Sequence, residues 1–137
     1  MKTIGLLLLA IALVWAEDDW PNCSCGLFIQ KDDHIDRVYR LDPFQVDNCD
    51  AWDVCKTSCA NEFSNNTGGG DLNYPLSNGY SVGQEICIAL VQHHGDHNVD
   101  NAIVYGYANL CNGPWVYDGV STINSLCCKD GFYRPCY

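Results

Sequence analysis

The sequence predicts a small, disulfide-rich α+β domain, with one main helix at about residues 49–63 packed on an antiparallel sheet. Three observations carry this. Ten cysteines lie within a short chain. One stretch, Cys49 to Phe63, repeats its apolar residues at helical steps. Several short β-branched and aromatic runs, separated by turn residues, read as strands.

The elements follow in chain order. Lys2 precedes an apolar run, Ile4 to Val14, and then Val14-Trp15-Ala16 and the polar Glu17-Asp18-Asp19. That layout predicts a secretory signal peptide over 1–16, leaving 17–137 as one disulfide-stabilised domain. The run is shorter than the ~20 residues a spanning helix needs, so no membrane insertion is expected. Cys25 to Ile29 reads as a strand and Lys31 to Asp36 as a turn. Asp42-Pro43 marks a break, because a residue before proline avoids the helical region.

In the helix, Trp52, Cys55, Cys59 and Phe63 form one apolar stripe, which places Trp52 in the core. Asp47 or Asn48 can cap its start, and Asp50 and Asp53 suit the positive end of its dipole. Asn65 to Asn73, with Gly68-Gly69-Gly70, reads as a flexible loop. Ile86 to Val91 is ambiguous. Ser81 and Gln84 offer a capping box, yet the run is short, partly β-branched and flanked by glycine, which predicts a buried strand. Ala102 to Leu110 is a further strand, expected to pair with it as a hairpin through the 93–101 loop. Trp115 to Tyr117 and Ser121 to Cys128 complete the sheet.

The cysteines are Cys23, Cys25, Cys49, Cys55, Cys59, Cys87, Cys111, Cys127, Cys128 and Cys136. An even number in an exported chain implies five disulfides, among on the order of a thousand connectivities. Two spacings narrow the choice. Cys55 and Cys59 share a helix face with a rise of ~6 Å. Cys23 and Cys25 share a strand face with a rise of ~6.6 Å. The matching rises predict two parallel bridges joining Cys23 and Cys25 to Cys55 and Cys59. Cys127 and Cys128 point to opposite faces of a strand and should reach different partners. The spacings lack the paired CxxC knuckles of structural zinc.

Net charge is −10. Repulsion argues against nucleic acid, heparin-like polymers and anionic lipid as partners. Asn65-Asn66-Thr67 is a glycosylation sequon, and Asn22-Cys23-Ser24 is a second match whose middle residue belongs to a disulfide.

The opening Cys23-Ser24-Cys25-Gly26-Leu27-Phe28, the helical Cys55-Lys56-Thr57-Ser58-Cys59, and the stretch Leu110-Cys111-Asn112-Gly113 with Trp115 form one pattern with the ending, Leu126 to Cys136, which contains Cys127-Cys128-Lys129-Asp130-Gly131. This pattern resembles the follicle-cell-protein family of small secreted cysteine-rich arthropod proteins, over roughly 23–136. The resemblance implies an extracellular protein without established enzymatic activity. The triple glycine and the histidine-rich segment depart from the family pattern.

Candidate chemistry is sparse. His93, His94 and His97, with Asp96, are the metal-type cluster, but Gly95 breaks the helix that would align them and no HExxH is present. Asp96-x-Asn98-x-Asp100 starts like a calcium loop, then has Asn101 and Tyr107 where glycine and glutamate belong. Gly119-Val120-Ser121-Thr122-Ile123 lacks the second glycine of a nucleophile elbow. The residues therefore point to no catalytic site, no cofactor and no metal. Tyr105 and Tyr107, if they share a sheet face, form a recognition patch; otherwise they pack against the disulfides. The function expected is a secreted, non-enzymatic protein acting by surface recognition or by assembly into extracellular matrix. A venom or salivary effector that binds a host protein is the alternative, and a small hydrolase with an unrecognised site is the third reading.

Overall fold

The computed structural model describes residues 20–31 and 34–136. The predicted signal peptide lies outside them, as do two residues of the predicted Lys31–Asp36 turn. The described chain is α+β: two helices pack on antiparallel sheets held by five disulfides.

Strand β1 (Asn22–Lys31) is longer than the predicted 25–29, and β2 (His34–Arg40) returns beside it. β3 (Phe44–Gln45) pairs with the start of β1. After the helices come β4 (Val99–Ala102), β5 (Val104–Leu110) and β6 (Trp115–Ser121), then β7 (Leu126–Lys129) and β8 (Phe132–Arg134). The larger sheet runs β2-β1-β5-β6, with β3 also on β1; the smaller runs β4-β7-β8. The predicted strand at Ala102–Leu110 is thus β5, and those at 115–117 and 121–128 correspond to β6 and β7 with shifted ends.

Helix α1 (Trp52–Thr67) starts and ends later than predicted. Neither Asp47 nor Asn48 caps it. Asn48 Oδ1 instead accepts the Asp50 N–H at 2.9 Å, turning the chain before Ala51, which is the N-cap and offers no side-chain bond. The buried stripe is Cys55, Cys59, Phe63 and Thr67, one residue every turn. Trp52 is only half-buried and packs on the edge of that cluster. Thr67 extends the helix: its hydroxyl donates to the Phe63 carbonyl at 2.6 Å and accepts the Gly70 N–H at 2.8 Å. Gly68 then terminates it in the left-handed region, φ 60°, with its N–H on the Ser64 carbonyl. A Cβ there would lie 2.2 Å from the Tyr74 ring, so the predicted flexible loop is a shaped helix stop.

The predicted strand at Ile86–Val91 is a correction: it is the middle of helix α2 (Val82–His94). Ser81 Oγ accepts the Gln84 N–H at 3.1 Å, and Gly95 closes the other end at φ 63°. Val82, Ile86, Cys87 and Leu90 are buried, a helical spacing that the six-residue window 86–91 concealed. The predicted hairpin with 102–110 is therefore absent, and β5 pairs with β1 and β6. Gln84 does not reach back to complete the capping box. Its amide donates to the Gly131 carbonyl and accepts the Tyr133 N–H, each at 3.0 Å, tying α2 to the β7–β8 hairpin.

Two buried clusters form. One joins α2 to both sheets through Ile29, Val38, Leu72, Ile86, Leu90 and Leu126. The other surrounds the α1 disulfides, with Ala108 and Leu110. Cys23 bonds Cys55 and Cys25 bonds Cys59, with Cα separations of 5.6 and 5.2 Å, as the matched rises predict. Cys128 bonds Cys87 and Cys127 bonds Cys136, two different partners for the adjacent pair. Cys49 bonds Cys111.

Candidate recognition surface

Alternation along β5 decides what faces outward. Ala108 and Leu110 are buried against α1 and its disulfides and Val104 in the α2 cluster on the same face, which sends Tyr105, Tyr107 and Asn109 to the other side. Register then fixes their neighbours. Phe28 lies opposite Tyr105, Gly26 opposite Tyr107, and Ser24 opposite Asn109. On the far side, Tyr117 lies opposite Tyr107 and Trp115 opposite Asn109.

The result is a row of five aromatic rings on one sheet face. Phe28 sits 4.7 Å from Tyr107 and 5.1 Å from Trp115 between centroids. Tyr117 meets Tyr105 edge-on at 5.7 Å and Tyr107 at 6.0 Å. Such tilted pairs match ring edges to ring faces. Gly26 makes room for them: a Cβ there would come within 3.0 Å of Phe28 and 3.3 Å of Trp115. Phe28 is buried beneath the others, Tyr105, Tyr107 and Trp115 are partly exposed, and Tyr117 is 43% exposed. Tyr105 and Tyr107 thus share a face, and the disulfides lie on the opposite one.

The other sequence candidates lie outside the aromatic row. His93 and His94 occupy the last turn of α2, and His97 follows Gly95. His94 Nε2 donates to the Arg37 carbonyl at 2.6 Å, binding the helix end to edge strand β2. His97 offers its carbonyl to the Gly131 N–H, and Asn98 Oδ1 accepts the Asp130 N–H at 3.1 Å. The stretch that begins like a calcium loop thus braces the β7–β8 turn. Among the described residues the one group of three metal-type ligands within 4.8 Å is Cys23, Cys25 and Cys59. All three sulfurs are already in disulfides.

Asp118 on β6 has its carboxyl raised above the ordinary carboxylate range. Burial raises it, while the Val120 N–H and the Lys56 charge pull it back. It faces α1, with the Cα of Gly106 beneath it, and among the described residues no second carboxylate acts on it. The geometry supplies no acid/base pair there.

Asn65 is exposed on the last turn of α1, while its sequon partner Thr67 is buried with its hydroxyl engaged. The sequon therefore lies on the helix and not in a loop. Asn22 is half-buried in β1, its Oδ1 enclosed without a partner, and Ser24 of that match is fully buried. An apolar recess of about 340 Å³ opens between the helices, among Leu27, Leu41, Phe63, Val82 and Ile86. The Asn78 amide donates to Glu85 at its rim. No helix among the described residues is long and apolar enough to cross a membrane.

Periodicity could pair Tyr105 with Tyr107. It could not bring Phe28, Trp115 or the arginines of β2 beside them, because that needs the β2-β1-β5-β6 order. Comparison of the chain with protein-family models, curated proteins and solved structures finds no match.

Proposed function

We propose that this chain is a secreted, non-enzymatic recognition protein that binds an extracellular protein or matrix component through the aromatic face of its larger sheet. The observation that carries the reading is the five-ring row on the sheet face opposite the helix and its disulfides. Tyrosine and tryptophan supply large contact area with little side-chain entropy to lose, and they dominate the energetics of binding surfaces. The platform is pre-ordered, because Cys23–Cys55 and Cys25–Cys59 staple α1 to its back. Five disulfides suit an oxidising compartment. The resemblance of the Cys127-Cys128-Lys129-Asp130-Gly131 ending to the follicle-cell-protein family favours a matrix setting within this proposal.

The test uses the full chain expressed in a eukaryotic secretory host. The product is expected in the medium, starting near Glu17. Incubated with extracellular material of the producing tissue, it should be retained. The double variant Tyr105→Ser/Tyr117→Ser, with unchanged unfolding midpoint, should wash out. Equal retention of both proteins would reject the aromatic face as the binding surface.

A further inference from the structure

The aromatic face ends, at edge strand β2, in a groove of about 600 Å³. Arg37 and Arg40 enter it from β2, His93 and His94 from the last turn of α2, and Phe28 and Trp115 from the aromatic row. Among the described residues, none that lines it is Asp or Glu. That is a strong local reversal in a chain with 17 acidic residues and seven Lys and Arg.

The groove is held in shape by its own bonds. Arg40 Nη2 donates to Ser24 Oγ at 3.1 Å, and Ser24 is fully buried. The same guanidinium lies 6.0 Å from the centre of the Trp115 ring. One donor is thereby used to fix the fork, and the remaining N–H groups stay available. Arg37 is exposed one strand position over Phe28. The His94 bond to the Arg37 carbonyl locks the α2 wall to β2. The C-terminus of α2 brings roughly half a negative charge to this wall, less than the two guanidinium charges of β2.

We propose that this groove binds a single oxyanion, carboxylate or sulfate, carried on an aromatic ring. The anion pairs with Arg37 and Arg40, and the ring lies against Trp115, over the buried Phe28. Guanidinium groups recognise both oxyanions through parallel N–H donors. The net charge of −10 repels a long polyanion over the whole surface, whereas one short-range charge meets only the local cations. The inference rests on the aromatic face being the recognition surface and names the ligand chemistry at one end of it.

The disulfide-intact secreted protein is titrated with phenyl sulfate and with phenylacetate, followed by NMR shifts of the Trp115 indole and by calorimetry. Saturable binding with Kd on the order of 1 mM is expected. Arg37→Gln and Arg40→Gln should each weaken it about fivefold or more. Benzyl alcohol and inorganic sulfate alone should bind at least about tenfold more weakly than the aryl anion. Val54→Ser, exposed on α1 behind the sheet, should leave it unchanged. The preferred oxyanion separates a sulfate ligand from a carboxylate one. Absence of saturation, equal affinity for benzyl alcohol, or insensitivity to both arginine variants overturns the groove. Tissue retention lost in the tyrosine variant without aryl-anion binding sinks the groove alone. Aryl-anion binding with retention indifferent to the tyrosines sinks the recognition face alone.

Discussion

Asp118 shows how one side chain carries a cost that the rest of the fold tolerates. Its carboxyl is raised above the ordinary 3.8, with burial the largest cause. Below that value the group is protonated in both folded and unfolded chains and exacts nothing. As pH rises through the folded value, the native state must hold a half-buried charge, and stability is lost. Asp118→Asn keeps an oxygen for the Val120 N–H and removes the charge. Its melting temperature relative to the parent should be higher near neutral pH than below pH 3.8. The opposite ordering would mean that Lys56 outweighs burial. Nothing in the local sequence, Val116 to Val120, signals this environment, because Gly106 and Lys56 approach from distant elements. Residue types that carry their own geometry were more legible: Cys23, Cys25, Cys55 and Cys59 reveal their pairing because strand and helix rises happen to match.

Helices and strands differ in how far the sequence shows them, for a physical reason. The α1 stripe from Trp52 to Phe63 spans about three turns, so its period stands out. The extension to Thr67 was hidden, because a hydroxyl bonded back to the Phe63 carbonyl looks polar in sequence and is buried in the fold. In α2 the signals conflicted: β-branched Ile86, Ile88 and Val91 against the Ser81 cap and the Gly95 stop. Tertiary bonds resolved it, since Cys87 reaches Cys128 and Gln84 holds the β7–β8 hairpin. The cap is thus where α2 is decided. Ser81→Ala leaves the Gln84 N–H without its acceptor and should cost about 1 kcal/mol. Ser81→Asp should restore most of that, and the exposed Ser77→Ala should change little. Urea unfolding of the three variants measures the ordering; a Ser81→Ala midpoint equal to that of Ser77→Ala would show that tertiary packing alone sets the helix.

At the scale of the molecule, the five bridges fall into two groups and a link. Cys23–Cys55 and Cys25–Cys59 close loops within the first half of the chain, and Cys87–Cys128 and Cys127–Cys136 within the second. Cys49–Cys111 alone crosses between them, over a sequence separation of 62 against 9 for Cys127–Cys136. Since the other bridges shorten that crossing loop only a little, the unfolded chain gains most freedom when it is cut. Loop entropy gives about 4 kcal/mol for losing Cys49–Cys111 and about 2.5 kcal/mol for losing Cys127–Cys136. Paired Cys→Ser variants, unfolded in guanidinium, should therefore rank in that order. The native fold should survive the cut, because β1 and β5 also join the halves through a continuous ladder from Cys23–Leu110 to Ile29–Val104. That ladder places Phe28 beside Tyr105, so the aromatic face should persist while the midpoint falls. A larger loss from the Cys127–Cys136 variant would show that native contacts around the chain end, and not the freedom of the unfolded chain, determine what these bridges contribute.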